Sequence, residues 1–192
     1  GTTGDKSKRG EHFYCDKAPG LSVLGALPYT LYYLSLRTRG ASLPEARVMP
    51  LDTVDLAAER APPPDRMAPG DRLQYNRAWR VGIYLCRLVA VSLISLVGAA
   101  SLFCLAFALA RERSPQVSSA EARRIGLLAS CIYALATPAF AYSVGFYGHQ
   151  TVAALLITAT ALIYAGEPNT ERSWPQLHAI AVCMGLAVCT EY

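Results

Sequence analysis

The chain has 192 residues, a formal net charge of +4, 53% hydrophobic residues and only 17% charged ones. A soluble domain carries about a quarter charged residues, so an ordinary water-soluble core is excluded: it would have almost no polar surface. The deficit is also uneven, because residues 18–36, 88–110 and 125–148 contain no charged residue and residues 151–166 continue the pattern. The first three runs are near or above the roughly 18–20 residues that read as bilayer-spanning. The composition therefore predicts an all-α, polytopic transmembrane helix bundle.

Residues 1–17 hold four basic and three acidic residues with three glycines and no apolar periodicity, which predicts loop or short interfacial structure. The first apolar run, 18–36, opens at Pro19, where a missing amide is harmless in a first helical turn. Pro28 in mid-run removes a backbone hydrogen bond and predicts a bent or re-entrant helix. In lipid, broken backbone is tolerated only where protein or water covers it.

Residues 37–80 form a connection with eight arginines against six acids and the Pro62-Pro63-Pro64 run, extended and stiff in places. A short helix is expected over 51–60, capped by Asp52 or Thr53. Arginine and proline without interleaved aromatics give no basis for a nucleic-acid partner, and membrane lipid is the partner this segment implies.

Transmembrane helices are expected over 81–110, 125–148, 149–166 and 179–192. Arg87 stands early enough in the first of these to snorkel to the interface. Thr137-Pro138 interrupts the second, and Gly166-Glu167-Pro168-Asn169 stops the third. The chain begins at Gly1 and ends at Tyr192 within an apolar run, so it reads as a fragment incomplete at both ends, with the last helix truncated. Counting basic residues does not orient it, since alternation puts nine on one side and eight on the other. A cytoplasmic loop between Arg111 and Arg124, with residues 1–17 extracytoplasmic, requires the first run to be re-entrant.

The six cysteines show no C-x-x-C spacing, so neither a zinc site nor a disulfide framework is expected. The polar residues that stand out are Asp16 and Lys17 at the first helix mouth, His149 between two apolar runs, and Glu191 near the end of the last. Asp16 and Lys17 have two readings, a surface pair of small energetic weight or an anion site in which the lysine adds to the positive end of the helix dipole. His149 likewise reads as a hydrogen-bonded interfacial histidine or as a substrate contact, because polar residues at membrane depth are costly and often functional.

Three stretches carry a family resemblance. The segment from Gly10-Glu11-His12-Phe13-Tyr14-Cys15-Asp16-Lys17-Ala18-Pro19-Gly20 to Pro28-Tyr29 resembles the first external loop and following helix of bacterial GT-C-type membrane glycosyltransferases. That group includes the protein mannosyltransferases and the enzymes that move aminoarabinose onto lipid A. Residues 137–149, with Tyr142, Tyr147 and His149, and residues 185–192, with Glu191, resemble the same group in the same order. The most specific part is residues 14–22, and the arginine-proline connection looks like an insertion.

The resemblance implies a GT-C-like enzyme of the bacterial inner (plasma) membrane that transfers a sugar from a polyprenyl-phosphate donor to an extracytoplasmic acceptor. In that group a lysine ahead of a proline faces the donor phosphate, a role that carries over to Lys17, although Lys17-Ala18-Pro19 departs from the usual Lys-Pro-Pro. Asp16 becomes a supporting residue or a ligand for a divalent cation, and Tyr14, His149 and Glu191 become cavity-lining candidates. The group's catalytic acid follows its first transmembrane helix and would lie upstream of residue 1. The reading from another class is a non-catalytic membrane protein, a lipid-binding scaffold or transporter subunit.

Overall fold

The computed structural model describes residues 6–9, 12–15, 19–49, 72–145, 147–165 and 173–191. The all-α expectation holds in its coarse form, since helices account for most of these residues. They are α1 (Gly20–Thr38), α2 (Arg77–Arg87), a π-helical turn (Leu88–Leu93), α3 (Ile94–Arg113), α4 (Ser119–Ala136), α5 (Ala139–Ser143), α6 (Gly148–Tyr164) and α7 (Trp174–Glu191). The segments from α2 to α3 form one 37-residue helix, Arg77–Arg113, the one described helix that is long and apolar enough to cross a membrane. Apolar α6 has 17 residues, the lower end of the spanning range.

The polar segments hold short strands. Strands β1 (Lys6–Arg9) and β2 (His12–Cys15) pair antiparallel with Lys6 opposite Cys15, and β3 (Ala46–Met49) and β4 (Arg72–Tyr75) pair with Ala46 opposite Tyr75. The aromatic pair in His12-Phe13-Tyr14-Cys15 favours extended backbone, but four residues are too few to display an alternation. The helix expected over 51–60 lies outside the described residues, as do Asp16 and Lys17.

The contacts divide the chain into two compact units, residues 25–86 and residues 1–24 with 87–192. In the first, α1 touches α2 where Gly82 meets the Tyr29 and Tyr32 rings, and the Cys86 thiol donates to the Gly25 carbonyl at 3.3 Å. Asn76 fastens the connection: its Oδ1 accepts from the amides of Trp79 (2.8 Å) and Glu45 (3.2 Å), while its Nδ2 donates to the Leu43 carbonyl at 2.7 Å. The Trp79 contact is a helix N-cap, and Trp79 also stacks on Tyr75 with ring centroids 3.8 Å apart.

Helix α1 runs unbroken through Pro28, so the re-entrant hairpin is not formed. A proline deletes one amide donor, and the turns on either side hold the helix together. The opposite outcome occurs at Thr137-Pro138, where the expected interruption of the 125–148 run separates α4 from α5. Thr137 is extended (φ −118°, ψ 169°), as steric conflict with a following proline ring favours. The last helix starts at Trp174 rather than at 179 and places Pro175 in its first turn, where proline is tolerated.

The second unit is a helix bundle. Ser130 of α4 donates to the Ala99 carbonyl of α3 at 2.8 Å, and Gly126 lies against Phe103, so α3 and α4 are antiparallel. Helices α3 and α6 run parallel: Gly98 meets Ala154, and Ser101 donates to Thr158 at 3.2 Å. Helix α7 returns antiparallel to α6, with Gln176 donating to the Leu162 carbonyl at one end and His149 meeting Glu191 at the other.

Small residues fill the interior of this bundle and large apolar ones cover its outside. Ala90, Ala122 and Ala154 are 0% exposed, whereas Leu96, Leu128 and Leu135 are 65%, 63% and 68% exposed. Small side chains let helix backbones approach closely. The π-helical turn is tied down by Thr151, whose buried hydroxyl donates to the Ala90 carbonyl at 3.0 Å. The last carbonyls of α5 are satisfied from the same region: Ser92 Oγ donates to Ser143 at 2.9 Å and Arg87 Nη1 to Val144 at 2.7 Å.

Candidate functional site

The start of α1, the start of α6 and the end of α7 meet at one end of the bundle. A Cβ placed on Gly20 would collide with the Cys189 carbonyl and stand 2.6 Å from Thr190 Oγ1, so only glycine allows α1 to begin there. A Cβ on Gly148 would lie 3.0 Å from Thr190 Cγ2. Thr190 thus sits between two helix starts; it is 7% exposed, and its hydroxyl donates to the Leu186 carbonyl at 2.7 Å.

This packing brings two of the expected site residues together. His149 Nδ1 lies 2.6 Å from Glu191 Oε1, with side chains 63% and 30% exposed respectively. Tyr142 meets the imidazole edge to face at 6.1 Å and 88°, and Tyr147 packs across Tyr142 at 5.7 Å and 89°. Both tyrosines belong to the aromatic stretch that precedes His149. Of the other expected residues, Tyr14 lies on β2, and Asp16 and Lys17 are outside the described residues, immediately ahead of Ala18-Pro19-Gly20 in sequence.

A cavity of about 210 Å³ opens between α3, α4 and α5, floored by Gln150 and Tyr133 with Ser92, Ser95 and Ser143 beside them. Gln150 is 5% exposed, and its Nε2 donates to the Tyr133 hydroxyl at 3.0 Å. Neither His149 nor Glu191 lines this cavity. Successive residues at the start of α6 therefore serve different places, His149 toward α7 and Gln150 toward α4. Gln150 and Thr151 were absent from the sequence expectations, although the signal was present: two side chains that need hydrogen-bond partners, entering an otherwise apolar helix.

Among the described residues, no group of three His, Cys, Asp or Glu side chains stands close enough to hold a metal ion. His149 with Glu191 supplies two ligands, fewer than the three or four a zinc ion takes from protein. Chemically, the assembled groups can form a carboxylate-positioned imidazole at an exposed edge, framed by aromatic rings and held by close helix contacts. No family model matches the chain, and no curated protein or solved structure matches it.

Proposed function

We propose that this chain is part of a polytopic integral membrane glycosyltransferase of GT-C type, which transfers a sugar from a polyprenyl-phosphate donor to an extracytoplasmic acceptor at the bacterial inner membrane. One observation carries the reading. Three stretches far apart in sequence and marked by the resemblance, Pro19-Gly20, Tyr142 to His149 and Thr190-Glu191, converge at one end of the bundle.

The membrane part of the proposal is supported by the arrangement of side chains. Without an aqueous surround, helices associate through small residues and interhelical hydrogen bonds, and the interior of Ala, Gly, Ser and Thr fits that rule. The exposed leucines on α3 and α4, Leu96, Leu128 and Leu135, fit lipid contact. In this reading α4, α6 and α7 pack in the membrane beside Arg77–Arg113, the one described helix long and apolar enough to cross by itself.

In this reading Lys17 holds the donor phosphate. A cation there stabilises the leaving phosphate as its negative charge grows in the transition state, and the start of α1 adds unpaired amides to the same anion. Asp16 supports Lys17. A divalent cation, if the transfer uses one, takes Asp16 as its candidate ligand.

The test is transfer of sugar from a lipid-linked donor by the complete protein in nanodiscs, wild type against Lys17→Ala. The expected result is a large loss of transfer with the folded fraction unchanged. Normal transfer by Lys17→Ala would end the assignment of the donor site, and a wild type that binds lipid without any transfer would favour the scaffold reading.

A further inference from the structure

The cavity between α3, α4 and α5 has an irregular helix on two of its walls. On one side the π-helical turn carries Ser92, and on the other α4 stops at Thr137-Pro138 before α5 begins at Ala139. A π-helical turn frequently accompanies a functional site. The volume of about 210 Å³ exceeds the roughly 150 Å³ of an apolar cavity that takes benzene. It therefore admits a ring or a short run of chain, and the remainder of a longer molecule stays outside.

Most polar groups at the cavity are already engaged. Ser92 Oγ donates to the Ser143 carbonyl, Ser95 Oγ to the Val91 carbonyl at 2.7 Å and Ser143 Oγ to the Phe140 carbonyl at 2.8 Å. Gln150 and Tyr133 differ. The one hydrogen bond of their side chains runs between them, from Nε2 to the hydroxyl, although Gln150 is buried. Among the described residues, Gln150 Oε1 has no partner and the Tyr133 hydroxyl donates to none. A buried amide left half-satisfied costs free energy until a partner completes it. The pair presents one acceptor and one donor, and turning the amide over still leaves one of each.

No charged side chain of the described residues lines the cavity, so an ionised ligand group would stay uncompensated there. The wall from Ser92 to Ala99 stands about 8–18 Å past Arg87 at 1.5 Å per residue, within the uncharged run 88–110. Leu96, Leu135 and Phe140 line the cavity and are also exposed on the outside of the bundle. From this combination we propose that the cavity binds a neutral lipid alcohol, a molecule with one hydroxyl on an apolar body, which enters from the bilayer past these three side chains. The hydroxyl donates to Gln150 Oε1 and accepts from Tyr133, and the apolar part lies against Leu96, Leu135 and Phe140. The inference rests on the membrane part of the proposed function and not on sugar transfer. A water molecule would satisfy the same two polar groups without using the apolar walls, and an acyl chain would fill the walls and leave both polar groups unpaired. A hydroxyl on an apolar body does both.

The test uses the complete protein in phosphatidylcholine nanodiscs and hexadecanol that carries a photoreactive diazirine close to its hydroxyl. Irradiation is expected to label peptides containing residues 92–99 and 133–143, and plain hexadecanol is expected to compete the label away. Hexadecyl methyl ether, which cannot donate, should compete about 2–12-fold less well, the worth of one hydrogen bond, and hexadecane less well again. Tyr133→Phe should weaken competition by hexadecanol by a similar factor. Ala134→Phe fills the cavity, leaves the polar pair in place and should abolish the label. If either variant fails to fold, the ranking of the three competitors on wild type decides. Label elsewhere, label that hexadecanol does not compete away, or equal competition by alcohol, ether and hydrocarbon would each overturn the proposal, the last by giving the cavity to any lipid chain. Wild type that stays in the aqueous fraction and enters no disc would end the membrane reading and this inference with it, whereas wild type without sugar transfer would leave the inference standing.

Discussion

Gly98 of α3 and Ala154 of α6 face each other so closely that a methyl group on Gly98 would stand 2.6 Å from the Ala154 Cβ and 2.7 Å from its Cα. Two parallel helices touch here backbone to backbone, and Ala154 is 0% exposed. The atoms in the way belong to a main chain and a one-carbon side chain, neither of which can rotate aside. Gly98→Ala is therefore expected to destabilise the bundle by about 1–3 kcal/mol, the usual cost of overpacking. Adding Ala154→Gly should return part of that loss. Reversible unfolding of the four variants in detergent measures the coupling, and additive effects would mean that the two helices do not meet at these residues.

Thr151 makes a second prediction because its hydroxyl serves a carbonyl inside the π-helical turn. Thr151→Val keeps the shape and removes the donor. Interhelical hydrogen bonds within membranes contribute about 0.6 kcal/mol on average and about 1.7 at most, and a loss in that range is expected. Thr151→Ser should cost less than Thr151→Val if the hydroxyl is what matters. A loss in Thr151→Ser with none in Thr151→Val would show that the methyl group, and not the hydrogen bond, sets the stability.

The large-scale pattern was legible in the sequence because the helices α3, α4, α6 and α7 largely follow the uncharged runs. The break at Thr137-Pro138 was legible as well, since the steric rule acts on the two residues themselves. Pro28 was not, because whether a helix survives a proline depends on its neighbouring turns. Nor was the interior: α3 is apolar on every side, so no periodic face distinguishes Gly98 and Ala99 from Leu96 and Val97. The Gly20–Thr190 and His149–Glu191 contacts join residues far apart in sequence. The residue types at the site could be picked out, but only the packing of three helix ends decides which of them touch.

Glu121 gives a prediction in pH. The amide of Ser118, and after it the Ser118 hydroxyl, hydrogen-bond the Glu121 carboxylate and hold its pKa below the ordinary value. Together with the bond from the Glu121 amide to Ser118 Oγ they form a capping box at the start of α4, ahead of the apolar part of that helix. A carboxyl whose folded pKa is depressed contributes stability that is fully present above the unfolded value, 4.5, and is lost as pH falls through the folded one. Wild type should therefore exceed Glu121→Gln in stability by a constant margin near neutral pH, and the margin should shrink on acidification below about pH 4.5. Unfolding of both across that range checks it, and a margin that widens in acid would contradict the capping geometry.

Gly20 and Gly185 allow the same chemical change to be made with opposite expected signs. A methyl group on Gly20 would run into the Cys189 carbonyl and Thr190 Oγ1. The first is backbone, and the second is held by its bond to the Leu186 carbonyl, so α1 must back away from α7. A methyl group on Gly185, within α7, would meet nothing within 4 Å. Gly20→Ala is expected to cost about 1–3 kcal/mol. Gly185→Ala is expected to gain about 0.5–1 kcal/mol, because glycine in a helix interior gives up more chain freedom on folding than alanine does. Because Thr190 adjoins Glu191, which meets His149, Gly20→Ala should also shift the His149 ring signals in nitrogen-15 spectra, whereas Gly185→Ala should leave them unchanged. If both substitutions stabilise the bundle and neither moves the histidine signal, the start of α1 does not rest on the end of α7, and the convergence that supports the proposed site is absent.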